Sequence, residues 1–368
     1  MHARAWCEID LDGLRTNVRR LRDVAGVPLV PMVKADAYGL GAEALARVFS
    51  ALPEPSAPWA LGIATVAEGE ALRVYGWTGR VLCCSPVLAV EHAAMRASRI
   101  TPSLHRTADI AAWCDASRAP WHLAIDTGMS RAGIPWREVA SLVTVVAAHA
   151  PEGVFTHFHS ALAHDGSRAE QEARFRAALH VLALPSSTLR HADNSHALAA
   201  RAASTSEEGG AWDLARPGIA LYGSPADSAL RLSPVLHVYA RVVDVREIAI
   251  GDTVGYDATW TATRPSRIAT VGIGYGDGYR RSLSNAGEML LHGRRVPVAG
   301  LISMDMTMLD VTDVSCAVGD VVTVLGQSPE AAAETLTIDE VASRGGLSPY
   351  ELLVGWRLRL PRVYRERT

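Results

Sequence analysis

Residues 27–41 read VPLVPMVKADAYGLG: an apolar run ends at a lysine and passes into a polar, glycine-rich turn. The run at 27–33 predicts a β-strand, and the alanine-rich segment 42–52 after the turn has the apolar spacing of a helix. This alternation recurs about eight times before residue 225. Because strands that alternate with helices pair in parallel, we predict an α/β fold that begins with a (β/α)8 TIM-type barrel.

The predicted barrel gathers several polar side chains at one end. Its strands are 27–33, 59–65, 80–84, 99–103, 122–126, 153–159, 189–194 and 213–222, and the clearest helices are 42–52, 66–75, 136–150 and 168–182. In such barrels the chemistry lies at the carboxyl ends of the strands. The side chains that fall there are Lys34, Asp126, His157, Asn194 and Arg216. The sequence therefore predicts a functional site at this end.

The chain has 36 basic residues, and Lys34 is the one lysine among them. Arginine can replace lysine on most surfaces, but it stays protonated at any pH that a protein meets. A lysine amine can lose its proton and attack a carbonyl group, as in a Schiff base with pyridoxal 5′-phosphate (PLP). A lysine that persisted by chance at a neutral site is the alternative. The apolar run and the glycine-rich turn around Lys34 favour the functional interpretation.

The composition excludes several classes of protein. A net charge of −3 without a polybasic stretch makes nucleic acid and anionic membrane unexpected partners. No apolar stretch approaches the ~18–20 residues of a membrane span, and the start of the chain lacks the pattern of a signal peptide. The five cysteines are sparse and show no metal-ligand spacing. We therefore expect a cytoplasmic protein with reduced thiols and no metal.

From about residue 230 the helical spacing is lost. Short β-rich segments separated by glycine, proline and aspartate turns follow at 235–248, 253–260, 267–274, 288–291, 296–302, 306–311 and 320–325, and a last helix is predicted at 348–357. We therefore divide the chain into a barrel at 1–228 and a mostly β domain at 229–368, with the first ten or so residues available to pair with the β domain.

Seven short segments stand out in order along the chain: 8–12 (EIDLD), 33–41 (VKADAYGLG), 126–131 (DTGMSR), 156–158 (THF), 191–195 (HADNS), 216–223 (RPGIALYG) and 274–278 (GYGDG). Together they resemble the PLP-dependent alanine racemase family, and the resemblance extends over nearly the whole chain. It implies a PLP-binding barrel followed by a β domain, in agreement with the fold predicted above.

The resemblance implies that Lys34 and Tyr275 are the catalytic residues. The family's lysine holds PLP and then acts as a base on one face of the substrate α-carbon. The tyrosine serves the opposite face, since racemisation needs proton exchange on both sides. Arg131 and the backbone amide of Met304 would bind the substrate carboxylate. The family forms head-to-tail homodimers, and each site takes its tyrosine from the partner.

The resemblance also implies a cofactor site. Arg216 would face the pyridine nitrogen of PLP, with His191 orienting the guanidinium. His157 would pack against the cofactor ring, since no carboxylate or thiol lies at metal-ligand spacing from it. The groups expected on the phosphate are the Tyr38 phenol, the Ser195 hydroxyl and the backbone amides of Gly218 and Ile219.

Three positions depart from the family pattern. Ala124 stands where the family often has a lysine that is carbamylated and paired with the arginine corresponding to Arg131. Leu358 stands where the family has a tyrosine. His159 follows the Thr-His-Phe motif where small residues are usual. Residues 157 and 159 would share a face of the predicted strand, so we expect His159 to point into the barrel mouth.

The missing carbamate leads to a separate expectation about Arg131. A partly buried guanidinium without a counterion is costly, so something should occupy the vacated place beside Ala124. We expect a bound chloride with waters, or polar groups such as His122 and His159, to do so.

The predicted function is PLP-dependent racemisation of a small amino acid, foremost L-alanine to D-alanine. A racemase for serine or another small or polar amino acid is the alternative within the family. A PLP decarboxylase of similar architecture is disfavoured, because the chain lacks a glycine-run phosphate loop and a cysteine-bearing substrate motif. A PLP-binding protein without catalytic activity is disfavoured because such proteins are typically lone barrels without Tyr275 and its domain.

Overall fold

The computed structural model describes residues 2–204, 212–225, 228–330, 334–356 and 359–366. The first strand, β1 (Ala5–Asp10), belongs to the sheet of the second domain. The barrel strands that follow are β2 (Ala60–Ile63), β3 (Arg80–Cys83), β4 (Thr101–Leu104), β5 (His122–Asp126), β6 (Ile134–Pro135), β7 (Gly153–Phe155), β8 (Leu189–Asn194) and β9 (Leu214–Arg216). They pair in parallel in the order β2-β3-β4-β5-β7-β8-β9, and β6 lies beside β5.

Segment 27–33 closes this barrel without forming a regular strand. Leu29 makes a parallel bridge to Ala215 in β9, and Met32 makes one to Gly62 in β2. The prediction of a continuous strand at 27–33 is therefore wrong, because the segment makes only isolated bridges. Pro28 and Pro31 lack the N–H groups that a ladder needs, so pairing is reduced to single bridges.

The helices lie between the strands and after them. The described α-helices of the barrel are Leu11–Ala25, Ala42–Ser50, Val66–Val74, His92–Ala97, Thr107–Ala116, Val143–Ala148, Ser167–Leu182 and Ser195–Ala203. Their limits follow local chemistry: the Asp10 side chain caps the first helix, and Gly26 ends it with φ 67°. In the second domain the helices Ile338–Arg344 and Pro349–Val354 are described. The first of these two was not predicted from the sequence.

Three barrel elements are shorter than predicted. The strand predicted at 153–159 ends at Phe155, so residues 157 and 159 do not share a strand face. The strand predicted at 213–222 ends at Arg216, and a 3-10 helix (Ile219–Tyr222) follows because Pro217 and Gly218 break the ladder. The helix predicted at 136–150 consists of a 3-10 turn (Val139–Leu142) and the short helix that follows it.

The second domain is built on a long strand, β10 (Leu236–Ile248). The other strands are β11 (Thr253–Val254), β12 (Trp260–Thr261), β13 (Ser266–Val271), β14 (Glu288–Leu291), β15 (Arg294–Pro297), β16 (Thr307–Asp310), β17 (Val321–Gln327), β18 (Thr335–Leu336) and β19 (Arg362–Arg365). The main order is β15-β14-β17-β10-β1-β19, and β13 joins β10 to β16. The strand predicted at 253–260 is instead the small β11–β12 hairpin. The predicted α/β fold, a parallel barrel followed by a mostly β domain, is confirmed.

The start of the chain ties the two parts together. β1 pairs antiparallel with β10 and parallel with β19, and the helix Leu11–Ala25 then enters the barrel layer. We propose to keep the division at residue 228 and to assign β1 to the second sheet. Among the described residues, the helices are all too short or too polar to cross a bilayer.

Candidate active site at the barrel mouth

The carboxyl ends of the barrel strands surround a cavity of about 550 Å³. Most residues predicted for the site line it: Lys34, Tyr38, Arg131, His157, Ser195, Arg216 and Gly218. Two more lie just beneath. His191 is fully buried and in contact with Arg216, and Ile219 is buried next to Gly218. One chain therefore brings the predicted cofactor-side groups into a single space.

Lys34 is held at the start of an unusual turn. The four residues after it, 35–38, have φ values between 53° and 57°, the left-handed region that costs about 1–2 kcal/mol per residue. Two contacts hold the turn in place. The Ala35 amide donates to Glu68 Oε1 at 2.7 Å, and Asp36 pairs with Arg362 of β19 at 2.9 Å. The turn stores strain and positions the lysine at the cavity.

Arg216 is a buried cation at the end of β9, only 5% exposed. Its guanidinium donates to His191 Nδ1 at 2.5 Å and to the Thr156 carbonyl at 2.7 Å, and it lies 4.9 Å from the centre of the Phe155 ring. Burial lowers the pKa of Arg216, but arginine remains protonated at any working pH. The group is therefore a rigid, charged hydrogen-bond donor at the cavity wall.

Ser195, Gly218 and Tyr38 form a cradle with the chemistry of an anion site. Ser195 begins the helix Ser195–Ala203, and its hydroxyl accepts hydrogen bonds from the Gly218 amide at 2.8 Å and the Ala220 amide at 3.2 Å. A Cβ on Gly218 would fall 2.4 Å from the Tyr38 hydroxyl, so a larger residue there would displace the phenol from the cradle. Burial raises the pKa of Tyr38, which keeps its phenol a neutral donor. Hydroxyls, amides and a helix N-terminus suit a phosphate group.

His157 is an uncharged ring in this setting. Burial, together with the neighbouring cations Arg216, Arg131 and Lys34, lowers the pKa of His157 to about 3. A neutral imidazole can pack against a flat aromatic cofactor without adding charge to it. Among the described residues, His, Cys, Asp and Glu side chains form no group suited to a metal ion.

The structure corrects two expectations about the neighbourhood of Ala124. Ala124 and Arg131 do line the same cavity, but Arg131 is exposed rather than partly buried. His159 is exposed and bonded to its neighbour Ser160 at 2.7 Å, because β7 ends before it. His122 points into the barrel interior and bonds to His191. Neither histidine fills the place of the missing carbamate.

Tyr275 and Met304 lie elsewhere. Both are in loops of the second domain, 40% and 53% exposed, and neither lines the cavity. Their loops are joined, since the Tyr275 amide donates to the Ser303 carbonyl at 3.1 Å and the Gly276 amide to the Met304 carbonyl at 2.8 Å. The single chain therefore keeps these two predicted residues together but apart from Lys34. The third departure, Leu358, lies outside the described residues.

Comparison with known proteins now adds an independent line of evidence. Residues 9–225 match the model of the alanine racemase N-terminal domain, and residues 235–364 match that of the alanine racemase C-terminal domain. The chain belongs to the alanine racemase family. An alanine racemase of Sorangium cellulosum is 36% identical over 383 residues, with 98% of both chains covered.

Solved structures of the family have the same fold. An alanine racemase from Streptomyces lavendulae superposes with a TM-score of 0.89 at 30% identity, covering 100% of this chain and 98% of that one. One from Bartonella henselae, described with covalently bound pyridoxal phosphate, gives 0.85 at 28% identity, covering 99% and 100%.

Several cavity residues were not found by sequence reasoning. These include Cys84, His105, Phe155 and Tyr350. Burial lowers the pKa of His105 to about 4, and its Nδ1 has no hydrogen-bond partner among the described residues. Tyr350 comes from the second domain, and its ring centre lies 6.3 Å from that of Tyr38. Neither position stands in a motif that resembles the family, so only the fold could reveal it.

Proposed function

We propose that this chain is a PLP-dependent racemase that interconverts L- and D-alanine. The observation that carries the proposal is the placement of the one lysine beside the Ser195–Gly218–Tyr38 cradle, in a cavity that also contains Arg216. Full-length family membership supports the same reaction. The groups of the cavity fit PLP: an amine for the aldehyde, donors for the phosphate and a neutral imidazole for the ring.

Bound PLP withdraws electrons from the α-carbon of the attached amino acid and so makes the α-proton removable. The Lys34 amine takes or returns that proton on one face of the α-carbon. The Tyr275 phenol does the same on the other face, so the two residues together invert the centre.

Arg216 favours racemisation over competing reactions. Its guanidinium would donate a hydrogen bond to the pyridine nitrogen of bound PLP and would keep its own proton. The nitrogen would then stay unprotonated, and bound PLP would withdraw electrons more weakly. Transamination and decarboxylation, which need that electron sink, are disfavoured in consequence.

The remaining residues bind and orient. Ser195, Tyr38 and the backbone amides of Gly218 and Ile219 hold the phosphate. His157 packs on the ring face. We assign the substrate carboxylate to Arg131 at the cavity and to the backbone amide of Met304.

Because Tyr275 and Met304 are exposed on another domain, we propose that they serve the cavity of a second copy. A head-to-tail homodimer places one copy's exposed loops over its partner's barrel mouth, and the same contact repeats in reverse. The exposure of a tyrosine and a methionine in joined loops supports this arrangement, since exposed apolar side chains that cluster mark contact surfaces. The five cysteines are free thiols, in line with a reducing compartment, and we place the enzyme in the cytoplasm.

A chiral assay tests the proposal. The purified, PLP-loaded protein is incubated with L-alanine, L-serine and several larger L-amino acids, and the D-isomers are separated by chiral chromatography. We expect D-alanine to form fastest. Turnover of serine above alanine would move the proposal to the serine alternative. Protein that binds PLP and yields no D-amino acid would refute racemisation.

A further inference from the structure

A row of buried side chains leads away from Arg216, through the barrel core. The guanidinium contacts His191 Nδ1 at 2.5 Å, and His191 Nε2 lies 2.8 Å from His122 Nδ1. His122 Nε2 lies 3.5 Å from Glu152 Oε2, close enough for electrostatic attraction but without a hydrogen bond between them. Both histidines are fully buried. The row therefore links the cofactor-side arginine to a carboxylate outside the cavity.

Only one arrangement of protons satisfies this row. Arginine can only donate, so His191 Nδ1 must be an acceptor and its proton must be on Nε2. His191 Nε2–H then donates to His122 Nδ1, which leaves the His122 proton on Nε2. Glu152 Oε2 lies 3.5 Å from that nitrogen, and an ionised carboxylate attracts its proton by charge. Each donor in the row points away from the cavity. The row ends at the Glu152 carboxylate.

Electrostatics favours the same assignment. Burial is the largest cause that lowers the pKa of His191 and of His122, and the charge of Arg216 adds to it in both cases. Both rings are therefore neutral at working pH. Among the described residues, no carboxylate bonds to the Arg216 guanidinium, whose partners are His191 and the Thr156 and Ala192 carbonyls. Glu152 is the first carboxylate along the row.

The fold makes room for the row and anchors its end. An added Cβ on Gly153 would fall 2.5 Å from the His122 ring, so glycine at that position is what admits the imidazole. Glu152 precedes β7, at the end of the barrel opposite the cavity, and is 3.7 Å from Arg80 at the start of β3. Arg80 in turn lies over the ring of Trp59 at 4.5 Å.

We propose that His122 and Glu152 are positioning residues for Arg216. They hold His191 as its Nε2–H tautomer, so that Nδ1 always accepts from the guanidinium and fixes which N–H groups of Arg216 remain for the cavity. The inference deepens the proposed function and rests on it, since Arg216 is there assigned to the cofactor's ring nitrogen. It adds two residues, one of them at the opposite end of the barrel, to those that determine the reaction.

The tautomers can be measured without any activity assay. The holoenzyme is labelled with ¹⁵N-histidine, and the imidazole nitrogens are observed by two-dimensional NMR from pH 6 to 8.5, with the His122→Phe spectrum used for assignment. We expect both His191 and His122 to be neutral with the proton on Nε2 throughout. A proton on His191 Nδ1, or a charged His191 at pH 7, would overturn the proposal even in a fully active racemase.

Kinetics of matched variants tests the consequence. Glu152→Leu removes the final acceptor and should lower kcat about tenfold, with KM for alanine changed less than about twofold. Glu152→Gln keeps an acceptor oxygen and should retain most of the activity. Asp115→Asn, an exposed carboxylate just after Cys114 of the helix Thr107–Ala116, is the control and should match wild type.

The outcomes separate the two proposals. Wild-type kcat in Glu152→Leu would overturn the positioning role, and equal losses in Glu152→Leu and Glu152→Gln would do so as well. If His122→Phe fails to fold, Glu152→Leu still tests the positioning role through kcat. The His191 signals are then assigned by comparing the spectra of wild type and Glu152→Leu. A protein with the expected tautomers and no racemisation would leave the hydrogen-bonded row intact and refute the proposed function alone.

Discussion

The barrel mouth and the loops of the second domain carry the two halves of one proposed reaction, and they are built in opposite ways. At the barrel mouth, Arg216 is buried and bonded on several sides, and Ser195 accepts two backbone amides. In the second domain, Tyr275 and Met304 are exposed and linked mainly through backbone contacts. The first set of groups is assembled within one chain, and we propose that the second set serves the cavity of a second copy.

The difference shows that one sequence can build a rigid site and an exposed loop for the same proposed reaction. Strained backbone after Lys34 and buried polar contacts fix the cofactor half rigidly. The loop that carries Tyr275 is stiffened from below, since Asp277 accepts from the Gly274 amide at 2.9 Å and from Arg359 at 2.6 Å. These contacts hold the backbone beside Tyr275 in place while its side chain stays exposed.

Removal of the lysine should have the largest effect. Lys34→Ala deletes both the covalent attachment and one of two bases, so racemisation should fall at least ~10³-fold and the absorbance near 420 nm should disappear. After borohydride reduction of the wild type, the PLP mass should be found on one peptide that contains Lys34. Wild-type activity in Lys34→Ala would refute the assignment of the barrel mouth.

Mixing inactive subunits tests whether the two halves meet between chains. Lys34→Ala and Tyr275→Phe each lack one base, and a mixed dimer regains one intact site of its two. After subunit exchange at equal ratio, random pairing should restore about a quarter of wild-type activity.

The control is a mixture of Lys34→Ala with the double variant, Lys34→Ala and Tyr275→Phe, which should stay inactive. Subunit exchange is verified by mass tags on the two chains. Verified exchange without recovered activity would show that each chain uses its own tyrosine.

Acid should weaken the barrel through its uncharged histidines. The pKa values of His105 and His157 are lowered to about 4 and about 3 by burial, whereas the unfolded chain binds these protons near the ordinary pKa of about 6.5. Below that pH these two imidazoles bind protons in the unfolded state but stay uncharged in the folded state. Each residue should therefore cost about 1 kcal/mol of stability between pH 6.5 and 5.5, measured by urea unfolding.

The matched variant for this effect is His105→Gln, which should remove about half of the loss assigned to the two residues. His292 in the second domain should act in the opposite direction. Its carboxylate neighbours Glu330 and Asp320 raise its pKa, so its contribution is present at low pH and is lost as the pH rises through that pKa. Equal acid sensitivity in His105→Gln and wild type would contradict the assignment.

The smallest effect concerns the place beside Ala124. Arg131 is exposed at the cavity, and an anion paired with it is worth at most about 1 kcal/mol. Replacing chloride by gluconate at constant ionic strength should raise KM for alanine about twofold. Bicarbonate should have no effect on the wild type, because Ala124 cannot form a carbamate.

Ala124→Lys should make the activity respond to bicarbonate. The control is Arg137→Gln, which removes an exposed arginine just after β6 and should keep the wild-type response to chloride. Insensitivity of the wild type to chloride would remove the anion from this site.

Much of the fold and of the cofactor half could be predicted from the sequence. The alternation of apolar runs and helical spacing predicts the barrel, and the positions at strand ends place Lys34, His157 and Arg216 together. The extents of elements were less predictable. Pro28 and Pro31 reduce the first barrel segment to bridges, and the strand at Gly153 stops early, which turns His159 to solvent.

The sequence by itself determined which chemistry is present: one amine, one series of motifs and one change of pattern near residue 230. Tertiary structure alone decided which groups touch. Burial depth, the direction of the His122–His191 row and the separation of Tyr275 from the cavity depend on contacts between residues far apart in the chain. Local patterns carry periodicity and turn chemistry, whereas pKa shifts and hydrogen-bond direction arise from neighbours that only the packed fold brings together.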